Sequence, residues 1–392
     1  MQGGLVDVRA RARSGAEALR AGDPARARSV FQRLVDEGRG DGQIWLGLAF
    51  AARDLKDTEG ALLALEQALA FEPRNIRALM LKADVHAQAG EDRVASGYYS
   101  QALKAAPPPE QTPPDLQREL ARARAMAERY AGAFEAYLRE RMAAEGFAEG
   151  RSSRRFAESL DVLVGRKTVY LQQPRFHYFP GLPQIQFYER GDFPWLREVE
   201  SATDAIRGEL LEVLKQEGAF TPYVEPQAMR HAPDAYGLLN NPDWSAFYLW
   251  KSGRRVEENL ARCPRTAAAL DGAPLARISE RTPSVLFSLL RAGARIPQHT
   301  GYLNARLICH LPLIVPPGCA LRVGNETREW REGEALIFDD SIEHEAWNTS
   351  DRLRVVLLFD VWRPELTDEE RALVSAMVRA VDDYGGGAAD WG

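Results

Sequence analysis

A 34-residue period constrains the first third of this chain more tightly than any other feature of its sequence. Ala27, Ala61 and Ala95 stand one period apart. Phe31, Leu65 and Tyr99 follow four residues on, and Leu34, Ala68 and Ala102 three further. These positions share one helical face, repeated three times. The small residue lets two helices approach, and the large one a turn later fills the groove between neighbours. Gly22, Lys56 and Gly90 fall at equivalent turns within each repeat, and Arg39, Pro73 and Pro107 at the repeat ends. Proline stops a helix by removing a donor and clashing with the preceding turn. Such units bury their apolar faces only by stacking, which predicts an all-α solenoid.

Over about residues 8–110 this register resembles the tetratricopeptide repeat, with Trp45 and Ala49 in the aromatic and small places of the second repeat. The resemblance implies a concave surface that holds a peptide or partner protein; a helical spacer or dimerisation arm is the alternative. The repeat domain is assigned to 1–110. Residues 107–114, Pro-Pro-Pro-Glu-Gln-Thr-Pro-Pro, read as a hinge. Residues 115–145 read as one long helix carrying Leu116, Leu120, Ala123, Met126, Tyr130, Phe134 and Leu138, within a helical connector at 111–160 that caps the last repeat.

From about 161 the texture changes. Residues 195–217 suggest one amphipathic helix. After 283, short apolar runs alternate with turn signals: Val285–Leu290, Ala305–Leu313, Ala320–Val323, Ala335–Phe338, His344–Trp347 and Leu353–Val361. Regular short strands of this kind predict a mainly β double-sheet jelly roll, a double-stranded beta-helix with flanking helices, at 161–375. Residues 376–392 are expected to form a flexible tail. The whole is a multidomain chain.

Its 392 residues carry a net charge of −6, which disfavours nucleic acid as a partner. Three cysteines and no CxxC pair exclude a disulfide framework and a thiolate zinc site. No run is long and apolar enough to span a membrane, and the first residues lack a signal-peptide pattern, so a cytoplasmic location and no membrane partner are expected.

Three of the six histidines fall in the strand-rich block: His299, His310 and His344. Arg354 lies in an apolar strand, where a guanidinium facing the barrel interior should hold an anion. Two distant histidines and an inward arginine outline a non-haem iron site with an oxo-acid cosubstrate. Imidazole suits iron(II), and a bidentate guanidinium suits the distal carboxylate. Taken singly, each histidine serves structure more often than chemistry. Asp339, Asp340, Glu343 and Glu345 flank His344 and read as a polar turn followed by outward strand positions, with Asp340 a possible orienting partner of His344. Cys309 should face away from His310 as a buried hydrophobe. His177 and His231 read as structural or rim residues.

Phe179-Pro180-Gly181-Leu182-Pro183, Phe193-Pro194-Trp195-Leu196, Phe247-Tyr248-Leu249-Trp250, His299-Thr300-Gly301, Glu334 through Ser341 with His344-Glu345, and Asp360-Val361-Trp362 keep an order and spacing that resembles the aspartyl/asparaginyl beta-hydroxylase family of 2-oxoglutarate-dependent oxygenases, over about 176–368. The resemblance implies iron(II) as metal, with 2-oxoglutarate and O2 as cosubstrates. It places His299 and His344 as metal ligands and Arg354, Ser288 and His310 on the cosubstrate, with Trp250 in the stretch lining that pocket. Gly301 stands where most 2-oxoglutarate oxygenases have a carboxylate, an absence typical of this family. Ile308 stands where relatives acting on epidermal-growth-factor-like domains grip the substrate aspartate with arginine.

The expected function is hydroxylation of a peptidyl side chain of Asp or Asn type, with the repeats recruiting the substrate or a partner. The alternatives are oxygenation of a non-peptide small molecule or acyl chain, and a non-catalytic repeat-based interaction protein. The sequence leaves the oligomeric state open.

Overall fold

A computed structural model describes residues 2–224, 237–278 and 281–384. The chain divides into two compact units, one ending at Arg166 and one beginning at Lys167.

Among its described residues the first unit contains eight α-helices: α1 (Gln2–Arg20), α2 (Pro24–Asp36), α3 (Gly42–Asp54), α4 (Thr58–Phe71), α5 (Ile76–Gln88), α6 (Asp92–Ala105), α7 (Pro114–Ala144) and α8 (Arg154–Leu163). Five start on a side-chain cap, among them α8, where Ser153 Oγ accepts from the Phe156 amide at 3.4 Å. Asp23, Asp41, Asp57 and Asn75 accept from the amides of Arg26, Ile44, Gly60 and Ala78 at 2.8–3.0 Å, each satisfying an orphan donor. The repeat positions Ala27, Ala61, Ala95, Leu34, Leu65, Ala68 and Ala102 are essentially inaccessible to solvent. The ring of Phe31 packs so closely against Gly15 and Gly47 that an added Cβ would lie 2.5–2.7 Å from its Cζ. The turn positions are equivalent in conformation as well as in spacing: Gly22, Lys56 and Gly90 have φ of 75°, 62° and 77°. Lys56 therefore occupies a left-handed conformation that suits glycine. Helix α7 covers the last repeat through Leu120, Ala123 and Tyr130, which pack with Tyr99, and Arg122 grips Asp84 with two bonds of 2.7 and 2.8 Å. The open side of the array is a groove of about 850 Å³ lined by Arg13, Ile44, Phe50, Arg74 and Ile76, among others.

The second unit has twelve strands among its described residues: β1 (Phe187–Tyr188), β2 (Thr221–Pro222), β3 (Trp244–Lys251), β4 (Arg254–Arg255), β5 (Val285–Leu290), β6 (Arg295–His299), β7 (Arg306–Ile314), β8 (Cys319–Val323), β9 (Glu326–Glu329), β10 (Leu336–Phe338), β11 (His344–Asn348) and β12 (Arg354–Trp362). One sheet runs β1-β10-β7-β12-β5-β3-β2, with β4 on β3; the other runs β6-β11-β8-β9. All pairs are antiparallel. From β5 onward the chain passes repeatedly between the two sheets, which makes the jelly roll. Alternation sorts the side chains. Val285, Phe287, Leu289, Cys309, Leu357 and Phe359 pack on the outer face with helices, whereas Leu286, Ile308, Val356 and Leu358 face the second sheet.

The expected 195–217 helix is two, α9 (Leu196–Ser201) and α10 (Thr203–Leu214), meeting at Ala202. The expected tail from 376 instead continues α13 (Asp368–Tyr384), because Val374 and Val378 are buried against Leu182 and Ile278; its remainder, 385–392, lies outside the described residues. Two short helices, α11 (Glu257–Arg262) and α12 (Pro264–Ala269), precede the roll. Strand β6 was not expected. It is an edge strand, and the proline at its centre disguises it in sequence while leaving the other edge free to pair. No helix of the described residues is long and apolar enough to cross a membrane.

Behind the roll, Arg363 and Asp339 form a fully buried pair at 2.7 Å. The guanidinium also donates to the carbonyls of Asn304 and Pro183 at 3.1 and 2.9 Å and to the Tyr188 hydroxyl. The other Asp339 oxygen accepts from the Ser341 amide and hydroxyl. Asp339→Ala is expected to lower the stability of this unit by about 3–5 kcal/mol, since it removes the fully buried partner of the Arg363 cation and leaves only the longer, partly exposed contact to Glu365 at 3.4 Å. Chemical denaturation checks it, and a loss below about 1 kcal/mol would show that the pair is dispensable.

Candidate active site

His299 ends β6 and His344 begins β11, and they are direct Cα partners across the two strands. Their ring centroids are 4.1 Å apart. His299 Nδ1 meets the Pro297 carbonyl at 2.7 Å, and His344 Nδ1 meets the Ile342 carbonyl at 3.0 Å. A carbonyl only accepts, so each Nδ1 carries the proton and each Nε2 presents a lone pair. Burial pushes His299 below its ordinary pKa, with the charge of Arg175 adding to the effect. His344 lies well below, again through burial first and through His299 second. Both rings are therefore neutral at pH 7, as metal ligands must be.

The inner face of the large sheet lies beside them. Arg354 is 1% exposed. One Nη donates to the Ser288 carbonyl at 3.2 Å, its Cζ lies 4.6 Å from the Trp330 ring centroid, and its Nε has no partner among the described residues. Burial lowers its pKa to about 10. Ser288 Oγ accepts from Trp244 Nε1 at 3.1 Å. His310 is buried with its Nδ1 unpartnered among the described residues, and burial, then Arg354, lowers it to about 3. A buried cation beside unsatisfied donors and a hydroxyl fits an incoming dicarboxylate.

Trp250 does not belong to this pocket. It packs with Leu249, Leu260 and Val285 on the outer face. The register slips between Tyr248 and Trp250, which pair with Leu286 and Val285. That extra residue is a bulge, and it turns Trp250 to the opposite side. Trp244 holds the place instead, 6.4 Å from His299 between ring centroids. Counting by twos from Ala246 finds Trp244; the bulge is invisible in sequence. Trp330, from the loop before β10, is a second aromatic wall that no sequence pattern marked.

Asp340 does not orient His344, because the Ile342 carbonyl does. Asp339 and Asp340 do lead into a polar turn, but both are buried. Asp340 faces Arg306 at 3.1 Å, and Arg306 also faces Asp360 at 3.1 Å. Burial raises Asp340 to about 6 despite that partner. Glu343 and Glu345 are engaged by Arg322 at 2.9 and 2.5 Å. Among the described residues no third His, Cys, Asp or Glu groups with the two imidazoles. Gly301 explains part of this. A Cβ there would lie 2.0 Å from Asp340 Oδ2. Gly301→Ala is expected to destabilise the unit by about 1–3 kcal/mol through overpacking, and Asp340→Ala should relieve part of that penalty in the double variant. Thermal melts of the three variants give the coupling, and strict additivity would refute the contact.

Cys309 is fully buried on the outer face, opposite His310. His177 is half-buried at the rim against Phe179, Trp362 is core and Trp347 only half-buried. His231 lies outside the described residues.

Residues 200–364 match the family profile described as aspartyl/asparaginyl beta-hydroxylase, and 18–85 match a tetratricopeptide repeat profile. The human protein named aspartyl/asparaginyl beta-hydroxylase is 37% identical over 191 residues, spanning 48% of this chain and 24% of that one. The Rhizobium tropici protein named ornithine lipid ester-linked acyl 2-hydroxylase is 37% identical over 180 residues, spanning 45% and 60%. Among solved structures, PcrH from Pseudomonas aeruginosa aligns at 24% identity with a TM-score of 0.29, over 32% of this chain and 91% of that one. The chain thus spans between about a quarter and three-fifths of the length of these curated relatives.

Proposed function

We propose that this chain, which carries an aspartyl/asparaginyl beta-hydroxylase domain behind tetratricopeptide repeats, is an iron(II)- and 2-oxoglutarate-dependent hydroxylase acting on a peptidyl side chain. The observation that carries the reading is the His299–His344 pair: two neutral rings in register, each with its Nε2 left free by a carbonyl bond at Nδ1. Bound iron(II), with 2-oxoglutarate and O2, supplies an oxidant that turns a C–H into C–OH as the oxo-acid becomes succinate and carbon dioxide. His299 and His344 would hold the metal and leave its other positions open. Arg354 would receive the far carboxylate of the cosubstrate, with Ser288 and His310 beside it. Trp244 and Trp330 would wall that carboxylate from water, which strengthens the charge pair.

The repeat groove, with Arg13 and Arg74 on an apolar floor of Ile44, Phe50 and Ile76, supports recruitment of a peptide or protein. The test is direct: purified full chain with iron(II) should convert 2-oxoglutarate to succinate. Absence of conversion under anaerobic loading followed by oxygen would remove the proposal. A second reading, an acyl substrate, is favoured by Ile308 on the inner face and by the name of the Rhizobium relative.

A further inference from the structure

An enzyme that hydroxylates one carbon must fix its substrate by something other than that carbon, and an acidic substrate needs a cation. Three guanidinium groups belong to the elements that build the site: Arg354 starts β12, Arg306 starts β7, and Arg175 is bonded through its amide to the loop just past His299. Arg354 is deeply buried and suits the cosubstrate. Arg306 faces two carboxylates, Asp340 and Asp360, and has no positive charge to spare. Arg175 differs from both. It is exposed, and no described carboxylate lies within ion-pairing distance of it.

Arg175 is also held in place. Its amide donates to the Gly301 carbonyl at 2.9 Å, two residues past His299, and the amide of Gln173 donates to the Ser341 carbonyl at 2.7 Å, three residues before His344. The segment therefore straps across both loops that carry the imidazoles. The guanidinium lies over the Tyr302 ring, with Cζ 4.3 Å from the centroid. The ring face attracts the cation and so limits its freedom, while a guanidinium on an aromatic face can still bond a carboxylate.

We propose that Arg175 receives the carboxylate of an acidic substrate side chain at the mouth of the site, supplying from the strap the clamp that Ile308 does not supply from β7. This rests on the hydroxylase reading and names its substrate class. The strap is anchored to the ligand loops, so the carboxylate is positioned relative to the metal, not merely attracted. It also sets the reading against an acyl chain, which would gain nothing from a fixed cation.

The probes are two fluorescein-labelled peptides, identical except for one central aspartate or asparagine. Binding is read by polarisation on the manganese-loaded full chain without oxygen, so that no turnover is needed. Wild type should bind the aspartyl peptide at least about tenfold more tightly than its twin, the scale of one charge-assisted contact. Arg175→Ala should abolish that preference, and Arg175→Lys should restore part of it. A preference that survives Arg175→Ala, or no preference in wild type, overturns the assignment. Succinate formation by the iron-loaded wild type is measured separately. Its absence would overturn the hydroxylase reading, whatever the peptide preference.

Discussion

Arg354→Ala is expected to raise the 2-oxoglutarate concentration needed for half-maximal succinate formation by roughly two orders of magnitude or more. The reasoning starts from burial. The guanidinium is 1% exposed, has a single carbonyl bond from its Nη and faces no carboxylate among the described residues. An incoming carboxylate would find a charge already stripped of water. Breaking such a pair by removing one partner costs about 3–5 kcal/mol, and about 1.4 kcal/mol is a factor of ten. The same arrangement burdens the empty protein, which must bury an unpaired cation; the lowered pKa, about 10, expresses that cost. Because the folded pKa lies below the unfolded one, the penalty is present at neutral pH and is relieved as pH rises through about 10. Arg354→Met, similar in length and uncharged, is therefore expected to leave the unliganded unit as stable as wild type or more so while losing the cosubstrate. Calorimetry with 2-oxoglutarate and melts with and without it separate the two effects. An Arg354→Met variant that binds 2-oxoglutarate normally would show that the arginine is not the receptor.

His299→Ala and His344→Ala should each remove iron(II) binding and succinate formation together. With no third His, Cys, Asp or Glu grouped beside the pair among the described residues, deletion of either ring leaves one such ligand. Losing a mere outer partner of a metal ligand costs about 10–100-fold, and losing the ligand itself should cost more. Both rings lie on paired strands whose backbone bonds do not depend on them, so the fold should survive. Metal content, optical titration with iron(II) and circular dichroism on each variant give the answer. Retention of full turnover by either variant would disprove the ligand assignment.

Much of this architecture is legible in the residues, and the illegible parts share a cause. The 34-residue period identifies the helical repeats and even the turn equivalence of Lys56 with Gly22 and Gly90, because both follow from contacts within one or two helices. Strand alternation assigns Cys309 and His310 to opposite faces for the same local reason. The pocket place that the resemblance implies for Trp250 is lost to a bulge, whose position depends on how β3 pairs with β5. The strand carrying His299 escapes notice because its central proline is permitted only by its place at a sheet edge.

Sequence alone determined that helices stack in the first unit, that strands roll in the second, and that two imidazoles and an arginine are present to do chemistry. Only the tertiary structure decided which groups meet. It set His299 against His344 through cross-strand register, occupied Asp340 and Asp360 with Arg306, occupied Asp339 with Arg363, and left Arg175 and Arg354 without carboxylates among the described residues. Periodicity is set by neighbours a few residues away. Pairing of charges is set by residues tens of positions apart, whose meeting depends on register, bulges and burial all at once.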